Sequence, residues 1–517
     1  MADANSAPTK ASWLDSFAIY LRPHIIAMFM LGFAAGLPFL LYFSTLSFWL
    51  ESSGVDVAII GFFSWFGLSY SLKFLWAPLL DKFAPPGFGR LLGKRRGWIL
   101  VSQIGIFTGL MGLGFSDPST SLAITAMFSF ITVFSSSTQD ISIDAWRIEI
   151  AKNADEQAPL SATYQAGYRV GMLMAGGGAL FIAGLANWTA AYATMAILIF
   201  VGAAAFLWTH EPGQTRKAER PKNPLLLAAI GIAFTIGALA LVIAIVAGIG
   251  RTAPMLMEAA GIEITRSLIR DIVLYVIAIP FAALIVLIPV VRRLPQGSKW
   301  LEHPATGPFF DFFWRYGWVA VLVLIFISTY RLSDIVMGVM AKPLYSSMGY
   351  SEEITGLISG TIGPFVTIGG AAIGGICAIR FGMMRTLVAG AVISVLGNLT
   401  FAWLAMHSDA VAWRLGVAVF ADNLAGGFAG TIFIAYLSNL TNRAFTAAQY
   451  ALFSSVFTLL PKLLAGLSGI IVEDYGYVQF FVFAGLLGVP AIIISFFITK
   501  AMPSRGNDDE AESAKPA

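Results

Sequence analysis

An α-helix needs roughly 20 consecutive apolar residues to cross the hydrocarbon core of a bilayer, and this chain supplies fourteen runs of about that length or more. They are Ile25–Leu50, Val57–Leu80, Gly97–Phe115, Leu122–Arg147, Ala162–Ala186, Ala190–Trp208, Leu225–Ile249, Ile269–Val291, Trp318–Met340, Glu353–Ala378, Thr386–Met406, Trp413–Asn439, Ala444–Val472 and Val478–Ile498. Only 12% of the 517 residues are charged, about half of the roughly 25% usual for soluble domains. No soluble core of this length hides so much apolar side chain, whereas a bilayer solvates it. Within lipid every backbone N–H and C=O must be satisfied inside the segment, so helices are the expected form. The expected fold class is an all-α polytopic membrane protein.

The runs group as six, then a pair, then six. This order predicts an N-terminal tail over 1–22, a six-helix bundle over 23–210, and a linker with an inserted transmembrane hairpin over 211–315. A second six-helix bundle over 316–500 and a disordered acidic tail over 501–517 complete the chain. Lys and Arg collect in alternate connections: Lys82, Arg90, Lys94, Arg95 and Arg96 in the second, and Arg216, Lys217, Arg220 and Lys222 in the sixth. The connections ESSGVD, SDPST and EDYG hold neither residue, although Arg251, Arg266 and Arg270 break the pattern. Positive charge stays on the cytoplasmic side, so both termini are expected there.

Other function classes find little support. Cys377 is the only cysteine, and the four histidines at 24, 210, 303 and 407 have no metal-ligand spacing. There is no G-x-x-x-x-G-K-[ST] phosphate cradle. The reading is of a non-enzyme without cofactor or metal, partnered by the lipid bilayer and not by nucleic acid, and monomeric.

Two connections carry a resemblance. The second reads APLLDKF followed by GKRRG, and its counterpart in the second six reads GICAIRFGMMR, with Ile379 where the first has Asp81. Both resemble the short basic motif between the second and third helices of each half in the major facilitator superfamily. The stretches LGFAAGLPFLLYFSTLSFWL, YSLKFLWAPLLD, TQDISIDAWRIE and TYQAGYRVGMLMAGGGAL resemble, more narrowly, the AmpG-type muropeptide permeases, most strongly over Gly32–Ala183. The resemblance implies a major facilitator fold with an inserted helix pair in a bacterial inner membrane. It also implies proton-coupled import of N-acetylglucosaminyl-1,6-anhydro-N-acetylmuramic acid (GlcNAc-anhydroMurNAc), with or without its peptide, for peptidoglycan recycling. Similar transporters carry other bulky anionic metabolites such as acetyl-CoA, which is the alternative.

The polar residues inside the runs are the candidate site. A charge at a helix centre costs roughly 2.5–3.5 kcal/mol on insertion scales, so it needs a partner or a water-filled cavity. Asp140, Asp144 and Arg147 fall at i, i+4 and i+7 and share a helix face. Asp140 lies about 10 Å deeper than Arg147 at 1.5 Å per residue. Lys73, eight residues before Asp81, reaches a similar depth, so a Lys73–Asp140 pair is geometrically allowed. Such a pair reads either as a proton-coupling device, because an acid is easier to protonate once its cation moves away, or as a static salt bridge. Asp144 is a further coupling candidate and, with Asp81 and Arg147, reads as part of a cytoplasmic gate. Glu149 reads as solvated. Substrate-binding candidates are Gln139 beside Asp140; Tyr164, Gln165, Tyr168 and Arg169 on the fifth run; Arg331 and Asp334; Asp422 and Asn423; Gln449; and Lys462 after Pro461. Aromatic rings stack on sugar faces, while Gln and Arg bond hydroxyls and carboxylates. Arg169 paired to an acid and Arg331–Asp334 as a local ion pair are the structural alternatives. Gly167, Gly171 and Gly176–Gly178 are expected to let helices approach closely.

Overall fold

The computed structural model describes residues 19–55, 63, 65–153, 156–207, 209–212, 223–226, 228–237, 286–303, 306–465 and 468–501. Among them there is no β-strand. The first half holds α1 (Pro23–Leu50), α2 (Ser69–Leu72, the 3₁₀ turn Lys73–Leu75, and Ala77–Lys82), α3 (Lys94–Phe115), α4 (Leu122–Ile150), α5 (Gln157–Leu185) and α6 (Trp188–Leu207). The second holds α7 (Val319–Ser347), α8 (Gly356–Phe381), α9 (Met383–Ala405), α10 (Ala412–Leu440), α11 (Arg443–Lys462) and α12 (Ile471–Ile498). All but the broken α2 are long and apolar enough to cross a membrane, which makes eleven among the described residues. With α2 they correspond to twelve of the fourteen expected runs. The hairpin runs Leu225–Ile249 and Ile269–Val291 lie largely outside the described residues, as do the start of the second run, the 213–222 loop and most of both tails.

Local chemistry sets the helix ends. Pro23 opens α1, where a missing N–H costs nothing, and the Asn187 side chain caps α6 by accepting from Ala190 N at 2.8 Å. Gly93 (φ 96°) and Gly382 (φ 85°) immediately precede α3 and α9. These left-handed corners, which only glycine adopts readily, fall at equivalent places in the two basic motifs.

Glycines also set the helix spacing. A Cβ on Gly36 would sit 2.1 Å from Tyr168 O and one on Gly167 2.0 Å from Phe29 O, so α1 and α5 touch backbone to backbone. Gly427 against Thr367 O at 2.1 Å does the same for α10 and α8. Gly167 and Gly171 therefore serve close approach, as expected; Gly177 has nothing within 4 Å.

Each half has its own core. In the first, Leu37, Leu41, Ile106 and Leu110 pack around Trp49, which stacks on Trp188 at 5.4 Å. In the second, Tyr330 stacks on Phe433 at 4.7 Å. A seam of small residues joins the halves, with Ala77 and Leu80 of α2 and Ala145 of α4 against Ala447, Ala448 and Ala451 of α11. Phe181, Leu185 and Leu207 stay exposed, as a lipid-facing surface requires. The end carrying the α2–α3 and α8–α9 loops is here the basic end.

Candidate functional site: an ion cluster between the halves

The stretch TQDISIDAWRIE forms the last three turns of α4, which runs unbroken for 29 residues. Helical spacing puts Asp140 and Asp144 on the side facing α2. Lys73 Nζ lies 3.9 Å from Asp140 Oδ2 and 3.8 Å from Asp144 Oδ2, so one ammonium serves two carboxylates. Asp144 Oδ1 accepts from Arg147 Nη2 at 3.0 Å, and Arg147 Nη1 donates to Ser161 Oγ at 2.6 Å. Arg147 is fully buried, its guanidinium over the rings of Tyr164 (5.8 Å) and Tyr450 (5.1 Å). Asp144 thus belongs with Asp140 in one buried cluster rather than at the rim. Asp140 Oδ1 is buried and accepts no hydrogen bond. Gln139 is buried with neither amide atom bonded.

Tyrosines from three helices surround the cluster. Tyr42 stacks on Tyr70 at 6.0 Å, Tyr70 donates to Ser136 Oγ at 2.7 Å, and Tyr164 and Tyr168 lie 6.0 Å apart. Three polar contacts join the halves here, one of them between the Ser71 and Thr458 hydroxyls at 3.3 Å. Lys462 Nζ donates to Ser71 Oγ at 3.2 Å, and Gln165 Nε2 donates to Thr431 Oγ1 at 2.6 Å.

In the second half Arg331 stands at a break in α7 (φ −110°, ψ 11°), where it pairs with Asp334 at 2.6 Å and donates to Gly426 O at 3.1 Å. Asn398 donates to the other Asp334 oxygen at 2.8 Å. Asn423 is engaged with Thr367 and Val419 O. Asp422 feels the charges of Arg331 and Arg169 across the interface. Gln449 lies elsewhere: at the basic end it bonds Pro308 O, Asp311, Arg315 and Asn442 N, which uses its whole amide in packing.

A second network closes the basic end. Arg95 Nη2 donates to Asp81 Oδ1 at 2.7 Å, Glu149 Oε1 at 2.6 Å and Thr446 Oγ1 at 2.7 Å. Asp81 also accepts from Ala447 N at 3.0 Å and Ala448 N at 2.7 Å. A carboxylate of the first half therefore caps a helix N-terminus of the second, where free N–H groups and the helix dipole favour negative charge. Glu149 bonds Thr446 as well. It is tied into this network and not solvated, because Arg95, read in sequence only as a topogenic charge, folds back over α4. Glu211, buried just beyond α6, accepts from Arg95 N at 2.6 Å and Arg96 N at 3.1 Å. Burial raises its pKa above the ordinary glutamate value, against the lowering effect of those two hydrogen bonds.

Toward the opposite end the halves border an open cavity of about 660 Å³, lined by Arg169, Lys342, Tyr345, Ser346, Tyr350 and Ser359 among others. Lys342 and the two tyrosines are absent from the sequence candidates. An intramembrane lysine in MAKPLYSS was the available signal, by the same cost argument that singled out Lys73.

Two six-helix halves around a polar cleft, closed at one end and open toward the other, define the architecture of a membrane transporter. The Major Facilitator Superfamily model matches residues 25–294. The anhydromuropeptide permease of Escherichia coli (strain K12) is 30% identical over 494 residues, 95% of this chain and 83% of that protein. The putative transporter AmpG 4 of Rickettsia conorii is 28% identical over 93% of this chain and 97% of its own. The proton:xylose symporter XylE has the same fold at 12% identity, with a TM-score of 0.54 over 94% of this chain and 95% of its own. The human organic anion transporter MFSD10 does so at 14%, with a TM-score of 0.52 over 93% and 98%. The chain belongs to the Major Facilitator Superfamily and, within it, to the AmpG-type permeases.

Proposed function

We propose that this protein carries GlcNAc-anhydroMurNAc, with or without its peptide, from periplasm to cytoplasm together with protons. It would act as a monomer in a bacterial inner membrane, with the basic end and both termini in the cytoplasm. The substrate rests on similarity to the Escherichia coli anhydromuropeptide permease. One observation carries the coupling: Lys73 is shared between Asp140 and Asp144 while Asp140 Oδ1 has no hydrogen bond. With both carboxylates ionised the cluster is balanced, Lys73 and Arg147 against Asp140 and Asp144. A proton on Asp140 leaves one net positive charge, which a substrate carboxylate offsets, so proton and anionic substrate favour each other. Tyr164, Gln165, Tyr168, Arg169, Asp422 and Lys462 form the proposed binding surface. Arg331, Asp334, Asn423 and Gln449 serve to hold helices, Asp81 belongs to the closure of the cytoplasmic end, and Arg147, a gate candidate by sequence, belongs with Asp144 in the buried cluster.

Uptake of labelled GlcNAc-anhydroMurNAc into right-side-out vesicles, with and without an inward proton gradient, tests this reading. Transport at the empty-vesicle level would remove the substrate and leave another bulky anion such as acetyl-CoA to be tried. The Asp140→Asn protein should lose gradient-driven accumulation while still exchanging labelled for unlabelled substrate. Normal gradient-driven uptake in that variant would refute the coupling role of Asp140.

A further inference from the structure

The cavity toward the opposite end is electrostatically one-sided. Arg169 and Lys342 line it and no aspartate or glutamate does. Neither cation has an ion pair within 4 Å or a hydrogen bond among the described residues, and Arg169 feels the cation Arg331 more strongly than the carboxylate of Asp422. Two cations on one cavity, Arg169 half-buried and Lys342 exposed at its rim, with no carboxylate in the lining, attract anions. They are also reached at different depths. Arg169 is in the middle of α5, whereas Lys342 is within two turns of the end of α7. Along their helices the two cations thus offer charge at two levels of one cavity.

The cavity walls carry an independent mark of a site. Two π-helical segments occur among the described residues, Met174–Gly178 in α5 and Gly356–Ile362 at the start of α8. The first directly follows the lining residues Met172 and Leu173, and the second contains the lining residues Gly356, Ser359 and Gly360. Such widened turns interrupt the helical hydrogen-bond ladder and recur at functional sites. Here both border the same space.

We propose that Arg169 and Lys342 form a polycarboxylate subsite that reads the peptide arm of the substrate rather than its sugars, with Lys342 as a specificity-determining residue outside the ion cluster. This rests on the muropeptide reading above. An elongated chain with carboxylates at separate points matches two cations at two depths. The peptide-free disaccharide, with its single lactyl carboxylate, can satisfy only one of them.

The test compares labelled disaccharide with labelled disaccharide–peptide in vesicles bearing the parent protein, Lys342→Gln or Lys342→Arg. The Gln variant should raise KM for the peptide-bearing substrate about tenfold, the effect of one lost charged contact. It should leave the peptide-free substrate within about twofold and kcat unchanged, and Lys342→Arg should restore KM. Equal effects on both substrates, or none, would overturn the subsite. A second readout needs no transport: thermal stabilisation of the purified protein by an Ala–Glu–Glu tripeptide against its uncharged Ala–Gln–Gln amide. Loss of the acidic peptide's advantage in Lys342→Gln supports the subsite even if the parent carries neither disaccharide, in which case the muropeptide reading alone falls. No preference for the acidic peptide in the parent sinks the subsite.

Discussion

Replacing Asp81 with asparagine should loosen the basic end by an amount the geometry sets. Asp81 accepts two backbone N–H groups of α11 and one Arg95 N–H, at 2.7–3.0 Å. Asparagine keeps the shape but has one acceptor oxygen and turns an NH₂ group toward one of those donors. A hydrogen bond to a charged group contributes about 1.5–3 kcal/mol, and the dipole interaction adds about 0.3–1 kcal/mol. Arg95 retains Glu149 at 2.6 Å, which limits the loss, so about 3 kcal/mol is the expected weakening. The two backbone contacts to Ala447 and Ala448 cross between the halves and require this end to be closed, while Arg95 holds Asp81 within the first half. Since about 1.4 kcal/mol is a factor of ten, the closed-to-open ratio should fall by about two orders of magnitude. Cys377 is the only native cysteine, so Cys377→Ser leaves a clean background for spin labels at Arg90→Cys and Phe381→Cys. Both positions are exposed, Arg90 in the α2–α3 connection and Phe381 at the end of α8 where the equivalent α8–α9 connection begins. Pulsed electron resonance should then show a new long-distance population in Asp81→Asn. Lys82→Gln, which removes a neighbouring charge whose described contact is the Phe83 ring, should not change the distribution. Identical distributions for Asp81→Asn and parent would refute the latch.

Two further outcomes follow from packing and titration. Gly36→Ala places a methyl where Tyr168 O stands 2.1 Å away, so α1 and α5 must separate. The unfolding temperature in nanodiscs should drop, with about 1–3 kcal/mol lost to overpacking, whereas Gly369→Ala, with nothing within 4 Å, should not lower it. Glu211 has a folded-state pKa raised by burial, so the folded protein holds that proton more tightly than the unfolded chain. Its contribution is fully present below the unfolded pKa and is lost as pH rises through the folded one. Unfolding temperatures measured across the acid range should show this decline in the parent and a shallower one in Glu211→Gln; parallel curves would contradict the assignment.

Hydropathy made the crossings legible because lipid leaves the backbone few choices. The rise of 1.5 Å per residue made the depth of Lys73 and Asp140 legible, since depth is a one-dimensional property of a helix. Position across the bundle is not. Thr446 meets Glu149 and Arg95 over 297 and 351 positions, and Lys462 meets Ser71 over 391. Nothing in local spacing connects those residues. The place of Glu149 is hidden for the same reason: being at the end of a run suggests water, and its partners arrive from other helices. Gln449 shows the converse, a polar residue in an apolar run whose needs are met at a helix start by Asp311, Arg315 and Asn442.

The cleft cluster and the latch sit on the same two helices. α2 bears Lys73 and Asp81; α4 bears Asp140, Asp144 and Glu149. The helices differ in stiffness. α4 is one uninterrupted helix across both clusters, so its carboxylates keep their mutual spacing. α2 changes to a 3₁₀ turn at Lys73–Leu75 and resumes at Ala77 after Trp76, and short 3₁₀ pieces inside a helix mark places where the backbone yields. On the proposed coupling, a displacement of Lys73 would be taken up between Lys73 and Ala77, next to the segment that carries Asp81. The 3₁₀ turn lies between Lys73 and Asp81, so on that proposal a charge change in the cleft would reach the latch through about two helical turns of α2, with the unbroken α4 as the fixed frame.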